Sequence, residues 1–257
     1  MIFSDESFRV IQVTDCHITE RAEVRVFDMD SHASLVRVLR AAKRRDWPPA
    51  FLLATGDLVE TGSECAYRRL RRLLEPLGVP VYCLPGNHDD PDIMSNSFAS
   101  GSVRTVRAFG FGAWRFVLLD SVVPGVHGGH LDDGALDELD GLLGGHEEAP
   151  TLVALHHHPV AIQSAWMDAM GLDNGDDLFA RLDRHPQVKA VLWGHTHQPF
   201  EGERRGVRLI GSPSTCRQFL RLRDEPAFSD EPPAYRRLLF HPDGRFETEL
   251  CWVDAAE

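Results

Sequence analysis

The sequence predicts an α/β fold, and three observations support it. Short apolar runs alternate with amphipathic helical patterns through the first third of the chain, which is typical of βαβ connections. The last third is rich in strand-like runs and contains a hairpin-type turn at residues 241–245. No internal repeat or linker-like stretch divides the 257 residues, so we expect one domain over residues 1–257.

Two strand–helix units open the chain. β-branched residues predict a strand over residues 10–14, and an apolar stripe with helical spacing predicts a helix over residues 31–45. The pattern repeats with an apolar strand over residues 50–54 and an amphipathic helix over residues 64–74. A third strand is predicted over residues 79–84, where it stops at a Pro-Gly pair.

The rest of the chain is interpreted by the same criteria. Residues 103–108 alternate between apolar and polar side chains. Further strands are predicted over residues 114–119, 151–155, 188–193, 207–210, 235–240 and 246–253. Leucines at helical spacing predict a helix that ends at Gly144-Gly145, and another helix is predicted over residues 176–183.

The composition bounds the function. The formal net charge is −12, and so acidic a chain is a poor candidate for nucleic-acid binding, which relies on clustered Lys and Arg. The five cysteines show no CxxC motif, so we expect no structural disulfides and a reducing compartment. Residues 1–6 do not resemble an export signal, and no apolar run approaches the roughly 18 residues of a membrane span. We therefore expect a soluble, cytoplasmic protein with neither nucleic acid nor membrane as a partner.

Polar residues that can coordinate a metal ion follow five of the predicted strands. In chain order they are Asp15 and His17, Asp57, Asn87 and His88, His157, and finally His195 and His197. Any one of them alone is most simply a turn or surface residue. Five sets in order do not fit that interpretation, because α/β sheets place their sites at the carboxyl ends of strands. Since Asp15 and His17 are two residues apart on an extended segment, we expect both to reach one point.

The donor types indicate a transition-metal site. Without His88, the set comprises two carboxylates, one amide and four imidazoles, with no thiolate. Mixed oxygen and nitrogen donors suit Mn, Fe, Zn, Co or Ni better than Ca or Mg. Seven ligands exceed one tetrahedral site but suffice for two ions if one carboxylate bridges them, as in many sites for phosphoryl chemistry.

These blocks resemble the motifs of the calcineurin-like metallophosphoesterase superfamily, namely Asp-x-His, Gly-Asp, Gly-Asn-His-Asp, His-His-Pro and Gly-His-x-His. The resemblance implies a four-layer α/β fold in which two facing mixed β-sheets are flanked by helices. It implies one ion held by Asp15, His17, Asp57 and His197, and a second held by Asp57, Asn87, His157 and His195. It further implies that His88 serves the leaving oxygen as acid or electrostatic partner, oriented by Asp89. Asn87, His88 and His197 are the positions expected to meet the substrate.

Longer segments resemble bacterial 3′,5′-cyclic-AMP phosphodiesterases of this superfamily, the class III cyclic-nucleotide enzymes. The segments are residues 156–159, 166–168, 194–198 and 213–219. The resemblance implies hydrolysis of cyclic AMP to 5′-AMP by in-line attack of a metal-bound hydroxide, with two ions drawn from Fe, Mn, Zn or Co. Related enzymes accept glycerophosphodiesters, 2′,3′-cyclic nucleotides or other small phosphodiesters, which are the alternative substrates. A non-catalytic scaffold is the less favoured alternative, and we allow for a homodimer.

Several positions keep two interpretations. The family ligand lies two residues before the proline, which favours His157. Strand alternation would place His156 on the opposite side, but His156 is the fallback if the strand ends early. Cys16 stands where relatives more often have Ser or Thr, which would place an oxidisable thiol near the metals. Trp166 could stack on a base or anchor its loop, and Arg217 could contact phosphate or lie in solvent.

Overall fold

The computed structural model describes residues 6–254, which form two six-stranded mixed sheets. The strands of the first sheet, in spatial order, are β12 (Phe246–Trp252), β11 (Ala234–Phe240), β1 (Phe8–Val13), β2 (Phe51–Thr55), β3 (Val81–Leu84) and β4 (Val103–Thr105). Strands β1 to β4 run parallel, whereas β11 joins β1 antiparallel and β12 joins β11. The first sheet therefore combines strands from both ends of the described chain.

The second sheet has a parallel centre and antiparallel edges. Its strands, in spatial order, are β5 (Ala108–Phe111), β6 (Trp114–Leu118), β7 (Thr151–Ala154), β8 (Val188–Trp193), β10 (Val207–Gly211) and β9 (Phe200–Arg204). Strands β6, β7, β8 and β10 are parallel, and β5 and β9 are added at the two edges by hairpins.

Six α-helices connect these strands. They are α1 (Ser31–Arg45), α2 (Glu64–Leu74), α3 (Pro91–Ser97), α4 (Asp133–Leu143), α5 (Ala165–Asp168) and α6 (Gly175–Leu182). Helix α2 continues into a 3₁₀ turn at Glu75–Leu77. The side chains of Asp30, Ser63, Asp90 and Asp132 accept a backbone N–H of the first turn of α1, α2, α3 and α4, which fixes where each helix begins.

The sheets face each other across an apolar core, and helices cover their outer faces. Phe51 of β2 and Phe116 of β6 meet between the sheets, with ring centroids 5.0 Å apart. Outside the first sheet, α1 and α2 bury Leu35, Leu39 and Leu70 in one core cluster, and α4 and α6 form a second cluster outside the other sheet. This confirms the predicted four-layer α/β fold of two facing mixed sheets flanked by helices.

The elements that the sequence did not predict are short or lie at sheet edges. The alternating residues 103–108 are not one strand, because β4 ends in the first sheet at Thr105 and β5 begins in the second sheet at Ala108. Strand β9 is mostly polar and forms an edge, so it lacks the apolar run of the central strands. Helices α3 and α5 span seven and four residues, too few for a helical period to show.

The structure bears on two expectations about compartment. Among residues 6–254, no helix combines the length and apolarity needed to cross a membrane. All five cysteines are free thiols. The expectation that the chain begins without an export signal rests on residues 1–6, and residues 1–5 lie outside the described residues.

Candidate metal centre

The predicted ligands meet where the carboxyl ends of parallel strands from the two sheets face each other. In the first sheet, β1, β2 and β3 lead into Asp15, Asp57 and Asn87, and in the second sheet β7 and β8 lead into His157 and His195. Asn87 is half-buried and the other four are buried. The facing sheets thus bring residues from distant parts of the chain to one place.

The backbone turns sharply at five of the seven predicted ligands. Its φ angle is positive at Asp15 (53°), His17 (48°), Asp57 (47°), His195 (63°) and His197 (48°). This left-handed conformation is uncommon outside glycine and persists where the surroundings fix it, often at functional sites. The expected extended geometry of Asp15 and His17 is therefore wrong. A turn brings both side chains to the site, and it is held by backbone N–H donation from Asp15 to Gly56 and from His17 to Asp57.

Asp15, His17 and His197 form the first ligand cluster. The Nε2 atoms of His17 and His197 are 3.2 Å apart, and His197 Nε2 is 3.3 Å from Asp15 Oδ1. The other ring nitrogens have outside partners, since His17 Nδ1 lies 2.8 Å from Glu60 Oε2 and His197 Nδ1 lies 2.6 Å from the Arg217 carbonyl oxygen. Such partners orient metal-binding imidazoles and leave the second nitrogen free for the ion.

Three imidazoles, those of His156, His157 and His195, form the second cluster. One nitrogen from each lies within 4.8 Å of the others. Outside partners again orient the rings, because His157 Nδ1 is 2.8 Å from Ser121 Oγ and His195 Nε2 is 2.9 Å from the Met170 carbonyl oxygen. The expectation that alternation would turn His156 away from His157 is wrong, because both side chains enter this cluster.

Asp57 lies between the two clusters. Its Oδ2 atom is 3.8 Å from His17 Nε2 and 3.3 Å from His156 Nε2. His156 is itself held through Nδ1, 2.9 Å from the Thr55 carbonyl oxygen. Asp57 therefore contacts both sets of imidazoles, and Asp15 approaches the second set more loosely, with Oδ1 4.0 Å from His156 Nε2.

Burial and crowding set the charges of the site. Burial alone would raise the pKa of Asp57, but His156, His17 and His88 hold it well below its usual range. Burial and the neighbouring His156 lower the pKa of His157 to about 3, and burial with the adjacent imidazoles lowers the pKa of His195 well below its ordinary value. An ionised carboxylate and neutral imidazoles are the forms that bind a metal ion, and Asp57, His157 and His195 are in these forms. His156 differs, because burial is outweighed by Asp57 and Asp15, which raise its pKa to about 9.

Buried polar atoms that lack a hydrogen-bond partner indicate whether these residues suit a metal ion. Buried polar atoms are nearly always hydrogen-bonded. Within residues 6–254, Asn87 Oδ1 and His156 Nε2 are buried without a hydrogen-bond partner. Both are Lewis bases at the site, and the surrounding donors are imidazoles and carboxylates without thiolate, so the residues fit a transition-metal centre.

Glu60, rather than Asp89, holds His88. The Nδ1 atom of His88 is 3.0 Å from the Glu60 carbonyl oxygen, and its ring centroid is 4.9 Å from that of His17. The expectation that Asp89 orients His88 is therefore wrong. Asp89 is buried and instead accepts hydrogen bonds from the backbone of Leu58, Val59 and Gly86 and from the hydroxyl of Tyr67. It thereby ties the loop after β3 to the loop after β2.

Gly86 lets the loop after β3 pass directly over Asp57. A Cβ atom at Gly86 would lie 2.3 Å from both the backbone nitrogen and Oδ1 of Asp57. The neighbouring His88 donates its backbone N–H to the same Oδ1 at 2.9 Å. Glycine is required here by close approach to a candidate ligand.

Sequence reasoning missed three residues that contact the candidate ligands. Glu60 pairs with His17, Ser121 with His157, and His127 lies 3.4 Å from the side-chain nitrogen of Asn87. Ser121 follows a predicted strand, as the candidate ligands do, and this signal could have identified it. Glu60 and His127 lie deeper in their loops, where only the folded chain brings them to the site.

The thiol of Cys16 is protected. Cys16 is 1% exposed and packs within the core beneath α1 and α2. Burial raises its pKa to about 12, so the thiolate needed for oxidation is scarce at neutral pH. The expectation of an oxidisable thiol beside the metals is wrong, and Cys65 is the exposed cysteine.

Trp166 and Arg217 belong to an aromatic cluster beside the first ligand cluster. Trp166 meets Phe219 edge-on, with ring centroids 5.0 Å apart. The Arg217 guanidinium lies 4.8 Å from the ring centroid of Phe228 and donates to the Phe27 carbonyl oxygen at 3.3 Å. Trp166 is thus a packed residue of α5, and Arg217 is held in place at the protein surface.

Comparisons with known proteins agree with this geometry. The calcineurin-like phosphoesterase family matches residues 8–199. The chain is 40% identical over 251 residues to the 3′,5′-cyclic adenosine monophosphate phosphodiesterase CpdA of Pseudomonas aeruginosa, covering 98% of this chain and 92% of that protein. It is 38% identical over 241 residues to a 3′,5′-cyclic-nucleotide phosphodiesterase of Nostoc sp., covering 94% and 91%.

A solved structure shares the fold. A dimetal phosphatase from Danio rerio superposes with a TM-score of 0.62 at 18% identity, covering 96% of this chain and 99% of that one. This likeness concerns the fold, and the sequence matches confirm the relationship that the motifs predicted. The chain therefore belongs to the calcineurin-like phosphoesterase family and is a phosphoester hydrolase.

Proposed function

We propose that this protein is a dinuclear-metal phosphodiesterase that hydrolyses 3′,5′-cyclic AMP to 5′-AMP. The observation that carries the proposal is the pair of ligand clusters that share contacts with Asp57. The relatives named as cyclic-nucleotide phosphodiesterases, which match over nearly the whole chain, support the choice of substrate. We further propose that residues 1–257 act as one domain, since strands from both ends of the described chain share the first sheet.

The ligand assignment keeps the first cluster, takes His157 and His195 from the second cluster, and leaves His156 out. We propose that Asp15, His17, Asp57 and His197 hold one ion, and that Asp57, Asn87, His157 and His195 hold the other. Asn87 is a neutral ligand, which adds no negative charge to a site that must accept an anion. When bound, two such ions activate water as a nucleophile and neutralise charge on the phosphoryl oxygens.

His88 is the proposed partner of the leaving oxygen. Its Nδ1–H donates to the Glu60 carbonyl oxygen, so the protonated ring keeps Nε2–H for donation to the substrate. The side chain is 25% exposed, so a substrate can reach it from solvent. A leaving alkoxide needs a proton or a positive charge, and an imidazole provides either one near neutral pH. Asp89 acts at a distance from the reaction, by holding the loop that carries Asn87 and His88.

Hydrolysis of cyclic AMP by metal-reconstituted protein tests the proposal. We expect 5′-AMP as the product, with kcat/KM well above that for a glycerophosphodiester or for 2′,3′-cyclic AMP measured under the same conditions. Metal analysis of the same sample should find two ions per chain. Faster turnover of the glycerophosphodiester would reject the cyclic-nucleotide assignment, and one ion at full activity would reject the dinuclear site.

A further inference from the structure

Most of the large exposed apolar side chains lie in loops that also carry residues in contact with the candidate ligands, namely Phe27, His127 and Phe219. Within residues 6–254, five large apolar side chains are exposed, and four of them lie in three loops that border the site. These four are Val24, Val126, Leu222 and Phe228, whereas the fifth, Phe111, lies on the edge strand β5. Soluble proteins concentrate exposed apolar surface mainly where they bind something.

A stack of rings runs from a candidate metal ligand to this exposed surface. The Phe219 ring lies parallel to the His197 imidazole, with centroids 4.5 Å apart and planes at 21°. The Phe228 ring is the next neighbour of Phe219, with centroids 5.8 Å apart and planes at 26°. Phe27 closes the side of the stack, 5.9 Å from His197, 5.6 Å from Phe219 and 5.3 Å from Phe228. The outermost ring, Phe228, is 43% exposed.

The stack is held by surrounding contacts. Phe27 adopts a left-handed backbone with a φ of 51°, which is rare for a bulky residue. Phe219 and Phe228 pair as an isolated antiparallel bridge, and Trp166 supports Phe219 from the side. The Arg217 guanidinium lies over the Phe228 ring. The exposed end therefore presents an aromatic ring with a planar cation over it, on a chain whose net charge is −12.

We propose that Phe27, Phe228 and Arg217 form the surface on which the planar heterocyclic base of the substrate packs. This inference rests on the proposed function and extends it to recognition of the base. Aromatic rings and guanidinium planes both stack on nucleobases. The phosphate of a nucleotide then meets the ions while its base lies on the outer end of the stack, so the surface distinguishes nucleotides from diesters of simple alcohols.

Calorimetry with manganese-reconstituted protein tests the surface without relying on turnover. The probes are 5′-AMP and ribose 5-phosphate, which share the sugar and phosphate and differ in the base. We expect wild-type protein to bind 5′-AMP about tenfold more tightly, as a stacking contact of ordinary strength allows. Phe228→Ala should bring the two affinities within about twofold. Equal affinities in the wild type, or an unchanged preference in Phe228→Ala, would overturn the proposal.

Two further variants separate stacking from altered folding. Phe228→Leu keeps apolar bulk but removes the ring, and should also lose most of the preference for 5′-AMP. Phe111→Ala removes a phenylalanine of similar exposure, 38%, from the distant edge strand and should keep the preference. If Phe228→Ala proves unstable, Phe228→Leu decides the question. Loss of the preference in Phe111→Ala would indicate a general effect of lost apolar surface and would reject the assignment.

A kinetic comparison separates this inference from the proposed function. In Phe228→Ala, kcat/KM for cyclic AMP should fall about tenfold, mainly through KM, while that for a glycerophosphodiester stays unchanged. A wild-type protein that prefers 5′-AMP but does not hydrolyse cyclic AMP would reject the proposed function and keep the base surface. A wild-type protein that hydrolyses cyclic AMP, with no change in Phe228→Ala, would reject the base surface alone.

Discussion

At the scale of single residues, the site is built from imidazoles with one nitrogen already engaged. His17, His156, His195 and His197 each place one ring nitrogen against an oxygen of a side chain or the backbone. His157 has Nδ1 against Ser121 Oγ and Nε2 3.2 Å from the His127 carbonyl oxygen. The orientation of each ring is therefore set before any ion arrives, and residues that never touch an ion govern affinity for it. Sequence motifs identify the imidazoles but not these partners, because the partners come from other loops.

His88→Ala should separate catalysis from metal binding. A general acid contributes on the order of 10²–10⁴ in rate. We therefore expect kcat for cyclic AMP to fall about 100-fold or more, while metal analysis still finds the wild-type content. His130→Ala is the control, because His130 is an exposed histidine paired with Asp173 at 2.6 Å. Parallel losses of activity and metal in His88→Ala would mean that His88 is a ligand.

His156 and His157 can be distinguished by metal content. The position two residues before Pro159 favours His157 as the ligand, whereas His156 lies 3.3 Å from Asp57. We expect His157→Ala to lose about one ion per chain. His156→Ala should keep a metal content closer to the two ions of the wild type. The measurement is metal analysis after dialysis against a weak chelator. The opposite order would assign the ligand role to His156.

At the scale of elements, the glycine in a loop at the site and the glycine in an outer helix have opposite effects on the fold. Gly86 passes over Asp57, whereas Gly141 lies inside α4, where an added Cβ atom would meet nothing within 4 Å. Gly86→Ala should displace Asp57 and abolish metal binding. Gly141→Ala should stabilise the protein by about 0.5–1 kcal/mol, because alanine favours the helix. Thermal unfolding and metal content check both, and normal metal binding by Gly86→Ala would contradict the close approach.

Prediction from sequence succeeded for elements whose packing follows from local pattern. Helices α1 and α2 begin and end at the predicted residues, because each has an apolar face and a capping side chain. The sequence did not predict the change of sheet between β4 and β5, which depends on which sheet edge is free. Similarly, the strand ends indicated where the candidate ligands lie. They did not indicate the left-handed turns at Asp15 and His17 or the contact of Glu60 with His88, because these features arise from packing between loops.

At the scale of the whole molecule, the proposed ions join the two sheets. The proposed ligands come from loops of both sheets, so bound ions stabilise the folded state alone. Binding at 100 times the dissociation constant is worth about 2.7 kcal/mol. Chelation should therefore lower Tm by roughly 5–10 °C for a chain of this size. Scanning calorimetry before and after chelation, followed by metal addition, checks this. An unchanged Tm after verified metal removal would contradict the proposal that the ions join the two sheets.

The pairing of β1 with β11 has a consequence for synthesis in the cell. One edge of β1 is covered only by a strand near the end of the described chain. At roughly 5–20 residues per second, the ribosome needs on the order of 10–40 s after making β2 before it reaches β11. Throughout that interval the nascent chain exposes an unpaired strand edge, which is prone to pair with other chains. Newly made copies should therefore depend on chaperones more than the finished enzyme does.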